Sequence, residues 1–115
     1  MARAVAFVPD LLFGSKVIGA LSAGGHDPVL VSAAADLEGA LAAADVLIVD
    51  LTDDATTRIA AAGVALGPQP PRTLAFFSHV EADVKAAAEG AGFDLVVPRS
   101  RMARAAAQLV TDLAR

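Results

Sequence analysis

Five short apolar runs, none alternating polar with apolar residues, are separated by segments that repeat at helical spacing, and this leaves the chain few folds to choose from. The runs are Ala4 to Val8, Val29 to Val31, Val46 to Leu51, Thr73 to Phe77 and Leu95 to Val97. A strand with one wet face alternates, so an unbroken apolar strand reads as one covered on both faces. Between the runs, Phe13, Val17, Ala20, Leu21 and Gly24 share one helical stripe, as do Leu37, Ala40, Leu41 and Ala44. Residues 54–66 repeat the pattern with Ala55, Ile59, Ala62 and Leu66. Val80, Val84, Ala87, Ala88 and Ala91 form a fourth stripe, and Met102, Ala106, Leu109, Val110 and Leu113 a fifth.

The order is therefore β-α, five times. Right-handed crossovers restrict the winding, and fold statistics favour the strand order 2-1-3-4-5. The expected architecture is α/β: a flavodoxin-like three-layer sandwich with a five-stranded parallel sheet and five helices. Its boundaries carry chemical marks. Gly24-Gly25 ends the first helix with a left-handed cap, and Pro68-Gln69-Pro70-Pro71 stops the third. Ser78-x-x-Glu81 is a capping-box pattern, and Glu81–Lys85 is a favourable i,i+4 pair worth about 0.2–0.5 kcal/mol.

Size and charge bound the function. A chain of 115 residues supports one core, so residues 1–115 read as a single domain. The 56% hydrophobic fraction is rich in alanine, and its apolar runs fall far short of the roughly 20 residues of a spanning helix, so no membrane segment is expected. Met1-Ala2-Arg3 leads straight into a strand with no signal-peptide order, and there are no cysteines; both suit a cytoplasmic protein. The net charge is −4, and Tyr and Trp are absent, which argues against a nucleic-acid partner. Arg99, Arg101, Arg104 and Arg115 read as a solvated helix face before a phosphate-binding stripe.

In an open parallel sheet, ligands bind beyond the carboxyl ends of the strands. That edge carries Asp10 after strand one, Asp50 at the end of strand three, Ser78 after strand four, and Arg99 with Ser100 after strand five. Two neighbouring carboxylates repel unless a cation sits between them. Mg²⁺ suits such a place because it takes few protein oxygens and keeps several waters. Asp50 would then be the nucleophile toward a phosphoryl donor, Asp10 and Asp50 the metal ligands, and Ser78 and Arg99 the phosphoryl contacts. Each has a plainer reading beside it: a strand-end carboxylate for Asp50, a cap or loop residue for Asp10, a helix cap for Ser78. Asp53 and Asp54 read as N-terminal helix residues favoured by the dipole. His79 reads as a surface or packing residue, and His26 as an exposed turn residue. Gly14-Ser15-Lys16 lacks the glycine spacing of a phosphate loop.

These segments resemble a family. Asp45-Val46-Leu47-Ile48-Val49-Asp50-Leu51 is similar to the third strand of response-regulator receiver (CheY-like) domains, which ends in the phosphoacceptor aspartate. Ser78 matches the family's Ser/Thr switch position, and Ala91-Gly92-Phe93-Asp94-Leu95-Val96-Val97-Pro98 resembles its Ala-Gly-…-Asp-…-Lys-Pro signature. Pro9-Asp10-Leu11-Leu12-Phe13, Phe77-Ser78-His79-Val80 and Val97-Pro98-Arg99-Ser100 also resemble a group of stand-alone bacterial receiver-like proteins of unassigned function. Three departures stand out: Pro9 replaces the first of two acids, Pro98 takes the place of the lysine, and Val96 and Val97 stand where strand five carries its switch aromatic.

The resemblance implies a two-component signalling role without enzymatic activity. The leading expectation is a degenerate, stand-alone pseudo-receiver that binds a protein partner, or a second copy through helices four and five, without normal phosphorylation. The alternatives are a working Mg²⁺-dependent phosphoacceptor using Asp50, and a protein binding a small anionic ligand near Ser78, Arg99 and Ser100.

Overall fold

Strand β3 (Val46–Asp50) is buried at every residue, as its unbroken apolar sequence requires, and it lies at the centre of the sheet. The computed structural model describes residues 1–78 and 82–115. Around β3 the chain runs β1 (Arg3–Phe7), α1 (Leu11–Ala23), β2 (Asp27–Val31), a 3₁₀ turn at Ala34–Asp36 leading into α2 (Leu37–Leu41), then α3 (Ala55–Ala65), β4 (Arg72–Phe77), α4 (Ala82–Gly90), β5 (Leu95–Pro98) and α5 (Arg99–Leu113). All five strands are parallel, in the order β2-β1-β3-β4-β5. Sheet order and element count are those expected from the sequence.

Alternate residues of each strand feed two separate cores, because strand side chains point to opposite faces with period two. Ala4, Ala6, Ile48, Leu74 and Phe76 pack with Phe13, Val17 and Leu21 of α1 and Met102, Ala106, Leu109 and Val110 of α5. Val5, Phe7, Leu47, Val49, Ala75 and Phe77 pack with Leu37 and Leu41 of α2, Ala62 of α3 and Ala88 of α4. Two helices thus cover one face and three the other.

Glycines end two of these helices in the same way. Gly25 has φ +86°, its N–H donates to the Ser22 carbonyl (3.1 Å), and the His26 N–H donates to the Leu21 carbonyl (3.0 Å). Gly92, at φ +94°, repeats the pattern after α4, with Gly92 N–H on Glu89 and Phe93 N–H on Ala88. This is the left-handed Schellman closure, which glycine adopts without steric cost. The pattern Ala91-Gly92-Phe93-Asp94 is thereby a helix stop, and Asp94 then ties down β4 by accepting from the N–H of Thr73 (2.8 Å).

Some expectations need correction. His26 is not an exposed turn residue: it is 8% exposed, and its Nδ1 accepts from the N–H of Ala2 (3.1 Å). Its Nε2 lies 3.1 Å from the Ala107 carbonyl and 2.9 Å from Thr111 Oγ1, so the ring joins the chain start to α5. Strand β2 begins at Asp27 and includes Pro28, which an edge strand tolerates because its outer amides need no partner. Helix α2 stops at Leu41, short of the Ala44 that its stripe reached. Helix α5 starts directly from β5 at Arg99, and Ala105 (φ −134°, ψ 23°) kinks it. The Ser78–Glu81 capping box, the Glu81–Lys85 pair, Val80 and His79 involve residues outside those described. Among the described residues no helix is long and apolar enough to cross a membrane.

Candidate functional site

The carboxyl ends of β1, β3, β4 and β5 are adjacent, so the residues that follow them meet at one edge. Pro9, Asp10, Asp50 and Ser78 line a cleft of about 580 Å³ with Thr52, Asp53, Arg58 and Arg99. All four residues singled out from the sequence, Asp10, Asp50, Ser78 and Arg99, therefore face one space.

Asp50 is the last residue of β3 and is 2% exposed. Its Oδ1 accepts from the backbone N–H of Thr52 (2.8 Å) and from the Thr52 hydroxyl. This Asx turn fixes the carboxylate just where the chain leaves the sheet. Among the described residues Oδ2 takes no hydrogen bond, and Asp50 lines the cleft. Arg58, in the first turns of α3, reaches back and donates from Nη1 to the main-chain carbonyl of Asp50 (3.0 Å). Helix α3 can start there because Asp54 takes a left-handed conformation (φ 53°, ψ 46°), one that aspartate tolerates better than most residues.

Asp10 has two jobs already. Its Oδ1 caps α1, accepting from the N–H groups of Leu12 (3.0 Å) and Phe13 (3.2 Å). Its Oδ2 lies 3.6 Å from Nη2 of Arg99. The Arg99 guanidinium also sits 4.1 Å above the ring of Phe13, which in turn packs 5.2 Å from Phe76. Arg99 is thus held by a carboxylate and an aromatic face together. It also forms the wall of a second groove, of about 510 Å³, with Phe13, Lys16, Ser78, Ser100 and Ala103.

The remaining candidates fall elsewhere. Asp53 and Asp54 precede α3 rather than entering it; Asp53 lines the cleft, and Asp54 takes the N-cap position without its side chain capping. Gly14 is buried, and a Cβ there would lie 3.0 Å from the Leu30 side chain, so it serves packing between α1 and β2. Arg101, Arg104 and Arg115 are exposed, as a solvated face requires. Thr52 and Arg58 are the cleft residues that sequence reasoning missed. Thr52 stands two residues after an aspartate, the spacing of an Asx turn. Arg58 puts a cation near a helix N-terminus, against the dipole, and such a misplaced charge is itself a signal.

Mg²⁺ is the ion expected from the sequence between the carboxylates of Asp10 and Asp50. Among the described residues no three His, Asp or Glu side chains gather as a ligand group. The two carboxylates still fit an ion that keeps most of its waters: among the described residues Oδ2 of Asp50 takes no hydrogen bond and Oδ2 of Asp10 meets only Arg99.

No family model matches the sequence, and no curated protein matches it. Solved structures do. A response regulator from Thermotoga maritima superposes with a TM-score of 0.80 at 12% identity, over 99% of this chain and 98% of that one. The signal receiver domain of NarL from Mycobacterium tuberculosis gives 0.74 at 23% identity, over 98% and 95%. The phosphorylated cyanobacterial phytochrome response regulator RcpA gives 0.71 at 13% identity, over 96% and 89%. The chain has the fold of response-regulator receiver domains.

Proposed function

We propose that this chain is a signalling receiver domain that works as a protein-interaction module, with an output that does not depend on ordinary phosphorylation of Asp50. The observation that carries this reading is the state of the acid after β1. Asp10 gives Oδ1 to the cap of α1 and has Oδ2 paired with Arg99, Pro9 provides no second carboxylate, and Pro98 ends β5 where a lysine would supply the cleft's fixed ammonium. Arginine is not a simple replacement, since its planar fork and stacked position give a different reach. No enzymatic step belongs to this reading. We assign the partner or second copy to α4 and α5, where Asp83 and Glu89 on α4 and Arg101 and Arg104 on α5 are exposed.

A second reading has its own support in Asp50, which lines the cleft and whose Oδ2 takes no hydrogen bond among the described residues. As a phosphoacceptor, Asp50 would attack the phosphorus of a phosphoryl donor with a carboxylate oxygen. The bond from phosphorus to the donor's leaving group would break and that group would depart with its electron pair, while the phosphoryl oxygens meet Ser78, Arg58 and Arg99. Mg²⁺ held by Asp50 and Asp10 would neutralise the paired carboxylates and the incoming phosphoryl charge. The two readings part on one experiment. At constant Mg²⁺, adding beryllofluoride is expected to cause no further change in the amide spectrum at residues 50, 78 and 99. Shifts there that vanish in Asp50→Asn would replace the first reading by the second.

A further inference from the structure

We propose that Arg99 is a built-in counter-ion that competes with a divalent cation for Asp10, so that ion uptake in the cleft and release of Arg99 are one coupled event. The inference concerns ion binding alone and holds whether or not Asp50 accepts a phosphoryl group. Asp10 has a single oxygen to offer, because Oδ1 is engaged by two amides of α1. Arg99 Nη2 stands 3.6 Å from the other. A Mg²⁺ ion needs its ligand oxygen at about 2.0–2.1 Å and brings a shell of waters, so it and a guanidinium cannot share that oxygen. Their like charges also repel across so short a gap.

Arg99 is placed to give way and return. Its contact with Phe13, at 4.1 Å, keeps the guanidinium at the cleft wall when Asp10 lets go. Both partners of the ion pair are about half exposed, so the attraction to be displaced is weak. Arg58 differs although it lines the same cleft: its anchor is the carbonyl of Asp50, not a carboxylate that the ion requires. Linkage makes the effect reciprocal: what pulls Arg99 toward an anion frees Asp10 for the cation, and the cation frees Arg99 for the anion.

The test is a double-mutant cycle read by Mg²⁺ titration of the full chain, followed through backbone amide shifts and the Arg99 Nε–H resonance. Arg99→Gln is expected to bind Mg²⁺ about two- to five-fold more tightly than the native chain, the factor that an exposed ion pair can withhold. In an Asp10→Asn background, which keeps the helix cap, the same change is expected to gain nothing. Arg58→Gln is expected to gain less than Arg99→Gln. In the native chain the Arg99 Nε–H resonance is expected to move as the ion binds. Equal gains from Arg99→Gln in both backgrounds would reduce the effect to net charge and overturn the proposal. So would the absence of any gain, or of Mg²⁺ uptake in all variants. Beryllofluoride plays no part in this titration, so its outcome and that of the phosphorylation test are independent.

Discussion

His26 shows how a residue's role depends on what the fold places around it. With Nδ1 accepting from Ala2, the ring proton belongs on Nε2, which faces the Ala107 carbonyl and the Thr111 hydroxyl. Replacing it by phenylalanine keeps much of the volume and strands the buried N–H of Ala2. His26→Phe is expected to lower unfolding free energy by about 1–3 kcal/mol in urea titration, the cost of an unsatisfied buried donor. A loss below about 0.5 kcal/mol, the range of ordinary surface substitutions, would show that the ring does not tie the chain start to α5. This role was illegible in the sequence, because its partners are 24, 81 and 85 residues away. Asp50 and Asp10 were legible, since strand-end position alone sends them to the ligand edge. Arg58 was legible only as a charge set against its helix dipole, because its place in the cleft depends on the turn that Asp54 makes.

At the scale of elements, α1 and α5 lie as close as their residues allow. A Cβ on Gly24 would stand 2.4 Å from the Cβ of Ala107. Gly24→Ala therefore pushes the C-terminus of α1 away from α5, and overpacking of this kind costs about 1–3 kcal/mol. Thermal unfolding is expected to show that loss and its recovery in the double variant Gly24→Ala/Ala107→Gly, since removing the opposing methyl reopens the gap. A single variant as stable as the native chain would mean that the helices separate freely. Helical stripes and glycine stops predicted where α1 ends, because both signals are local. The extent of α2 escaped that reading: the apolar stripe continues to Ala44, yet the chain needs residues 42–45 to turn back into β3. Tertiary demand overrode local period.

At the scale of the whole molecule, the described buried residues form two clusters, one on each face of a single sheet. Leu74 lies in the core under α1 and α5, and Leu47 in the core under α2, α3 and α4; both are fully buried. Leu47→Ala and Leu74→Ala are each expected to cost about 2–5 kcal/mol. Unfolding should stay a single transition in both, with far-UV circular dichroism and amide exchange coinciding, because neither core survives loss of the shared strands. Two separated transitions would make the faces independent. The sheet order was legible from the β-α rhythm and crossover handedness, whereas the face each helix covers followed only from the winding. Helix α5 spans roughly 22 Å at 1.5 Å per residue, from the cleft to the far side of the molecule. Its lower part is clamped by His26 and by the tight contact at Gly24, while its first residue stacks on Phe13 and faces Asp10. The kink at Ala105 falls between these two attachments. Mechanically, α5 is two segments meeting at a joint: residues 99–104 hold Arg99 at the cleft and Met102 in the core, and the part beyond Ala105 is fastened to α1 and to the chain start.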